Sequence, residues 1–294
     1  MPLFTEIEDI KKYINVSKNL DIRLLLPYED VATRKITEFI PKEEFETIEN
    51  NHAEIFDTIK GAIANYMVAF AIPFLKTKFT NTGANNFQDD KVKKSEWWDV
   101  RDFGLSAVKI ADESLTVAIN LLLDTALKNK LTLISSEVSL YKTPNDFSEI
   151  YNIGNSWDVL KKLTPIIEHV WRVYMRERLK NCTIEVISEN AEVNKLLKSV
   201  VAYYTIADAV TEPTLLFTIS GVVMQWEELP WQKSLVVSEQ KLEKLEKKYF
   251  EKANDTFAIL LQYLKDNHEG FPCFEYTPSR PIRETIEKKS GLYL

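Results

Sequence analysis

The chain has 294 residues, 45% of them apolar and 28% charged, and a formal net charge of −7. That length suits one large domain or two ordinary ones, and that balance is the composition of a soluble globular protein. The acidic excess argues against a surface built to grip nucleic-acid phosphates, although an acidic wall would let a duplex slide past without sticking.

At the N-terminus, Thr5 and Glu8 stand at capping-box spacing and predict a helix start within 5–13. The opening is mixed and acidic, unlike a secretory signal. Leu24-Leu25-Leu26 lead into Pro27, which suits the first turn of a helix. In that helix Tyr28, Val31, Ala32, Lys35, Ile36, Phe39 and Ile40 recur at spacings of three and four until Pro41. Residues 62–72 are small and apolar all round, the pattern of a buried helix. A strand is predicted over 75–80, a turn over 81–86, and a returning strand over 94–100 carrying Trp97 and Trp98. A long helix follows over 103–130. No apolar run approaches the roughly 18 to 20 residues that cross a bilayer.

Residues 131–156, with Pro144 and Gly154, make a poor helix, and the linker is placed at 136–156. Thr164 and Pro165 then read as the cap and first position of a new helix. Its stripe is Ile166, Ile167, Val170, Trp171, Tyr174 and Leu179. Another helix covers 191–209. The stretch TLLFTISGVVMQWEELP reads as a hairpin breaking at Ser220-Gly221. A helix over 234–267 aligns Leu242, Leu245, Tyr249, Ala253, Phe257, Leu260 and Leu264, with Glu243 and Lys247 paired at i,i+4 on its other side. From 270 the chain is an extended, Pro-interrupted tail.

The two halves repeat one order of elements. Pro27 and Pro165, Tyr66 and Tyr204, and Gly83 and Gly221 are each 138 positions apart. Laid without gaps on 200–221, residues 62–83 match at Ala64, Tyr66, Ala69, Ala71, Phe79, Thr80 and Gly83. The fold class predicted is therefore mainly α, with two similar helical-bundle lobes from internal duplication, each with a long helix and a β-hairpin. Their bounds are 1–135 and 157–269, with a tail at 270–294.

Reactive chemistry is sparse. His52, His169 and His268 are scattered, with no metal-binding spacing. Cys182 and Cys273 set no disulfide framework, and a reducing compartment is the simpler reading. Seven glycines form no phosphate loop. Asp208 and Glu212, at i,i+4, could hold a divalent cation, but a solvated acidic face is the plainer account. No catalytic, cofactor-binding or metal residue is assigned. The aromatic residues Trp97, Trp98, Phe217, Trp226 and Trp231 cluster around the two hairpins, as core anchors or subunit contacts. Phe271, Phe274 and Tyr276 lie in the tail, which either folds back on its own lobe or adds to a neighbour.

The run LFTEIEDIKKYINV, followed by LLLPYEDVATRKITEFIPKEEFETI, resembles head–tail connector (adaptor, or neck ring) proteins of Bacteroidota tailed phages. Where that family tends to place a glycine after the equivalent of Pro41, this chain has Lys42-Glu43-Glu44. The resemblance implies a non-enzymatic virion protein, made in the host cytoplasm and located at the head–tail neck. It implies a ring of about twelve copies, closed by heterologous contacts, beneath the portal protein. DNA would pass through without sequence-specific binding, other neck and tail proteins would dock, and no cofactor or membrane would be involved. Under that implication Glu239, Glu243 and Glu246 are candidates to face the channel, while the hairpin and tail aromatics are candidates for subunit contacts. A tail completion or terminator protein, a bacterial helical scaffold for a protein partner, and an enzyme built from scattered carboxylates are the alternatives.

Overall fold

The computed structural model describes residues 3–80, 83–86, 97–133, 138, 140–179, 181–210, 215–218, 221–224 and 239–274. The first helix, α1 (Ile7–Lys11), is short and buries Ile10. Its cap lies one residue later than the Thr5/Glu8 spacing predicts. The Asp9 carboxylate reaches back to the backbone N–H groups of Thr5 (3.1 Å) and Glu6 (3.2 Å), while Glu8 pairs with Lys11 at 2.8 Å. Pro27 sits in a 3-10 turn, Leu26–Tyr28, that runs into α2 (Glu29–Thr37). Ala32, Thr33 and Ile36 face inward, but Val31, expected in the same stripe, is exposed.

After α3 (Phe45–Asn51) comes α4 (Ala53–Lys76), the central helix of the first half. Ala62, Ile63, Ala64, Tyr66, Met67, Val68, Ala69 and Ala71 are all buried. The alanines let α5 (Trp97–Leu123) approach closely, and α5 answers with buried Ala107, Ala111 and Ala118. The segment Ala53–Leu75 is long and apolar enough to cross a membrane, which overturns the expectation that no such run exists; two-thirds of its most apolar stretch is buried inside the protein. Its apolar character is that of a core helix surrounded by other helices.

Between α4 and α5, β1 (Thr77–Thr80) pairs antiparallel with β2 (Gly83–Asn86), from Thr77↔Asn86 to Thr80↔Gly83. The predicted return over 94–100 is wrong. Pairing closes across two residues, which brings the return forward to 83–86, and Trp97 and Trp98 instead open α5. The helix ends at Leu123, and Ala126–Lys130 form a 3-10 turn capped by Thr125, whose Oγ1 accepts from Leu127 N–H at 3.1 Å.

The connection between halves is folded rather than slack. Thr143 and Asp146 form a capping box at the start of α6 (Pro144–Ser148), and Val138, Leu140, Tyr141, Phe147 and Ile153 are buried. Gly154 (φ 70°) and Asn155 (φ 54°) turn the chain through the left-handed region. Then α7 (Trp157–Val170) starts eight residues before Pro165, not at it, because Ser156 is the cap and accepts from Val159 N–H at 3.1 Å. A π-helical turn, Trp171–Met175, leads into α8 (Arg176–Leu179) and α9 (Ile184–Ser188).

Asn190 caps α10 (Ala191–Ala209), whose bounds coincide with those expected from sequence. Next, β3 (Leu215–Thr218) pairs antiparallel with β4 (Gly221–Met224), and α11 (Glu239–Asp266) packs along α10. On α11, Ala253, Phe257, Leu260 and Leu264 are buried and Leu242, Leu245 and Tyr249 pack at the margin of the core. The expected Glu243–Lys247 pair gives way to Lys247–Glu251 at 3.9 Å. Cys182 and Cys273 form a disulfide, contrary to the sequence expectation. The turn after α11 folds back on its own half, burying Phe271 and bringing the two Cα atoms to 4.8 Å.

The protein is mainly helical and built from two similar halves. The spacing of 138 persists in three dimensions: α4 begins at Ala53 and α10 at Ala191, while β1 and β2 recur as β3 and β4 in the same register. Tyr66 and Tyr204 are both fully buried at equivalent places on α4 and α10.

Candidate functional site

Two regions concentrate polar and aromatic groups: the seam between the halves and the aromatic face of the second half. At the seam, the N-terminus of α7 docks against α5 and the end of α2. Trp157, 2% exposed, donates its indole N–H to Asn120 Oδ1 at 3.1 Å. Ser156 Oγ donates to Asp112 Oδ1 at 3.0 Å. Lys161 Nζ contacts Glu38 Oε2 (3.3 Å) and the Glu38 carbonyl (3.2 Å), and lies 4.6 Å from the centre of the Phe39 ring.

Burial, foremost, pushes the Asp112 carboxyl up to about 7, and the charge of Asp158 adds to this against the opposing bond from Ser156. Burial likewise pushes Asp158 up to about 6, against the pull of Lys35, Lys162 and Lys161. Neither acid is singled out by sequence. Asp158 lies in the first turn of α7, ahead of the helix start expected at Pro165. The one available signal for Asp112 is its place beside Ala111, in a helix whose inward stripe continues to Leu115.

In the second half, Tyr174 stacks on Tyr204 (centroids 4.7 Å apart), and Phe250 meets both rings edge-on. Tyr204 Oη donates to Asn254 Oδ1 at 2.6 Å. Tyr174, presented by the π-helical turn, hydrogen-bonds Asp208. Burial raises the Asp208 carboxyl and Glu246 adds to the rise, while His169 opposes it. Asp208 is thus a partner of tyrosine and histidine, while Glu212 lies outside the described residues. No group of three or more His, Cys, Asp or Glu able to hold a metal ion occurs among the described residues. A small depression is lined by Leu3, Leu26, Glu29, Asp30, Thr33, Lys42 and Phe45, and in its wall Glu29 Oε1 accepts from Leu3 N–H at 2.9 Å.

Trp97 and Trp98 begin α5, Phe217 lies in β3 and Glu239 opens α11; their side chains, like the whole of Trp226, Trp231 and Tyr276, fall outside what is described. Phe271 is buried in its own half and Phe274 packs, half-buried, against the core, so of the two courses expected for the tail this part folds back on its own half, where the disulfide at Cys273 draws it inward. Glu243 and Glu246 are exposed on α11. A surface missed by sequence lies on α5. Phe103, Ile110, Val117 and Leu121 are exposed at spacings of seven, seven and four and so share one stripe. The positions 138 residues later on α11 are Lys241, Lys248, Asp255 and Ile259.

A family model described as Family of unknown function (DUF6712) matches residues 29–138 and again residues 173–284. The chain belongs to this family. The two DUF6712 matches fall on the two halves, in agreement with the repeat in sequence and structure. Comparison with curated proteins and with solved structures finds no match.

Proposed function

We propose that this protein is a non-enzymatic assembly subunit, a head–tail connector whose copies close into a ring below a portal. The observation that carries the reading is the exposed apolar stripe of α5, Phe103, Ile110, Val117 and Leu121, on a unit whose duplicate is mostly charged at the same positions. Apolar side chains aligned along a helix favour burial against another protein surface. Such a stripe on one half and not at the same described positions of its duplicate suits a head-to-tail contact, in which each copy offers one face and receives another. The two antiparallel strand pairs act as hairpins that reach the adjoining copies, and exposed Glu243 and Glu246 on α11 line the channel together with Glu239. The resemblance of the N-terminal segments to phage connectors supplies the identity of the ring.

The test is assembly. Light scattering and negative-stain microscopy of the full chain, alone and with a tailed-phage portal protein, are expected to show a closed ring. Ile110→Asp combined with Val117→Asp is expected to abolish it while circular dichroism stays unchanged. A chain that stays monomeric with and without the portal, or a ring indifferent to both substitutions, overturns this reading.

A further inference from the structure

Asp112 and Asp158 come from opposite halves and both lie in the seam, near enough for the charge of Asp158 to raise Asp112. Asp112 Oδ1 accepts from Ser156 Oγ at 3.0 Å, and Ser156 in turn caps α7, so one acid of the first half holds the first turn of the second. Asp158 is 3% exposed, and its Oδ1 has no hydrogen-bond partner among the described residues. The groups facing Asp112 are Ser156 and Asp158 from the second half, Glu113 from α5 and Tyr66 from α4. Those facing Asp158 are Lys35 and Glu38 from α2 and its end, Lys161 and Lys162 from α7, and Tyr66. The cations are shared: Glu38 takes Lys161 at 3.3 Å and Lys35 at 3.7 Å. An ionised Asp158 in such a place lacks compensation that a protonated one does not need, while half-buried Asp112 has the Ser156 hydroxyl as its hydrogen-bond donor.

We propose that the seam is a proton-operated joint. While Asp112 and Asp158 carry protons the halves are held in one arrangement, and when both ionise the halves shift against one another. With the two acids raised by burial to about 7 and about 6, the change falls at neutral pH. The sign follows from linkage. A carboxyl whose folded value exceeds its ordinary 3.8 contributes stability that is complete below that ordinary value and is lost as pH rises through the raised one. Repulsion between the two acids reinforces the loss, since ionising one opposes ionising the other.

The joint is independent of the connector reading, and its test needs only the isolated chain. Exposed Asn50 in the first half and Glu192 in the second, changed to Cys and labelled with a fluorophore pair, report the distance between halves while the Cys182–Cys273 disulfide stays closed. The inter-half transfer efficiency is expected to differ between pH 5 and pH 8, with its midpoint between 6 and 7. Asp112→Asn with Asp158→Asn, which mimics the protonated forms, is expected to hold the pH 5 value at pH 8. The single substitutions are expected to move the midpoint, and each serves in place of the double variant if that fails to fold. Equal efficiency at both pH values in the unaltered chain overturns the proposal, as does an unchanged pH response in the Asn variants.

Discussion

Asp146 shows what a single residue does here. Its carboxylate accepts from Thr143 N–H at 2.9 Å, closing the α6 cap, and takes Lys198 Nζ at 2.7 Å from α10. Burial would raise this carboxyl, but the Lys198 and Thr143 bonds outweigh burial and hold it below its ordinary 3.8. The stability it contributes is therefore present above that value and lost as pH falls through the depressed one. Asp146→Ala is expected to cost about 2 kcal/mol at pH 7, by loss of a cap and a charge-assisted bond. The cost should shrink as pH falls below 3.8 and through the depressed value, measured by urea unfolding at each pH. The capping chemistry is local, and Thr143-Pro144-Asn145-Asp146 could have been recognised as such a box. Lys198, 52 residues away, could not, because only tertiary folding brings it there.

Among the elements, those that follow from local pattern are the most legible. Bounds for α10 agree with expectation because Asn190 accepts from two backbone N–H groups, of Glu192 and Val193, and fixes the start. The start of α7 was misjudged because Pro165 is a frequent first residue of helices, yet a proline is tolerated further in when packing favours one continuous helix. The close α4–α5 contact depends on small residues that a stripe of large apolar ones does not reveal. Ala118→Leu on α5 is accordingly expected to overpack it and cost about 1–3 kcal/mol. The same substitution at exposed Ser106 should change stability by less than about 0.5 kcal/mol, both measured by thermal unfolding. The stripe on α5 was hidden in the sequence for the opposite reason: a helix with apolar residues on several faces does not announce which face stays uncovered.

For the whole molecule, the repeat was legible because it needs no knowledge of packing, only a constant spacing. The disulfide was not, since two cysteines 91 residues apart reveal their proximity only in the folded chain. The seam was illegible for the same reason. Closing a loop of that length restricts the unfolded chain, so Cys182→Ser with Cys273→Ser is expected to lower stability by up to about 4–5 kcal/mol on the chain-entropy account. Reduction with dithiothreitol should reproduce the loss in the unaltered protein and leave the double variant unmoved, as read by thermal unfolding.

The constant spacing from α4 through β2, and from α10 through β4, has a consequence for how the chain can change. Over those residues the two copies differ at most positions while keeping the same length and the same strand register. An inserted or deleted residue there would rotate the rest of the helix by about a hundred degrees and turn its inward side chains outward. Divergence between the copies has therefore run through substitution, not length. The frame is thus held in common while the outer faces of the helices that follow it differ, apolar along α5 and mostly charged at the equivalent positions of α11.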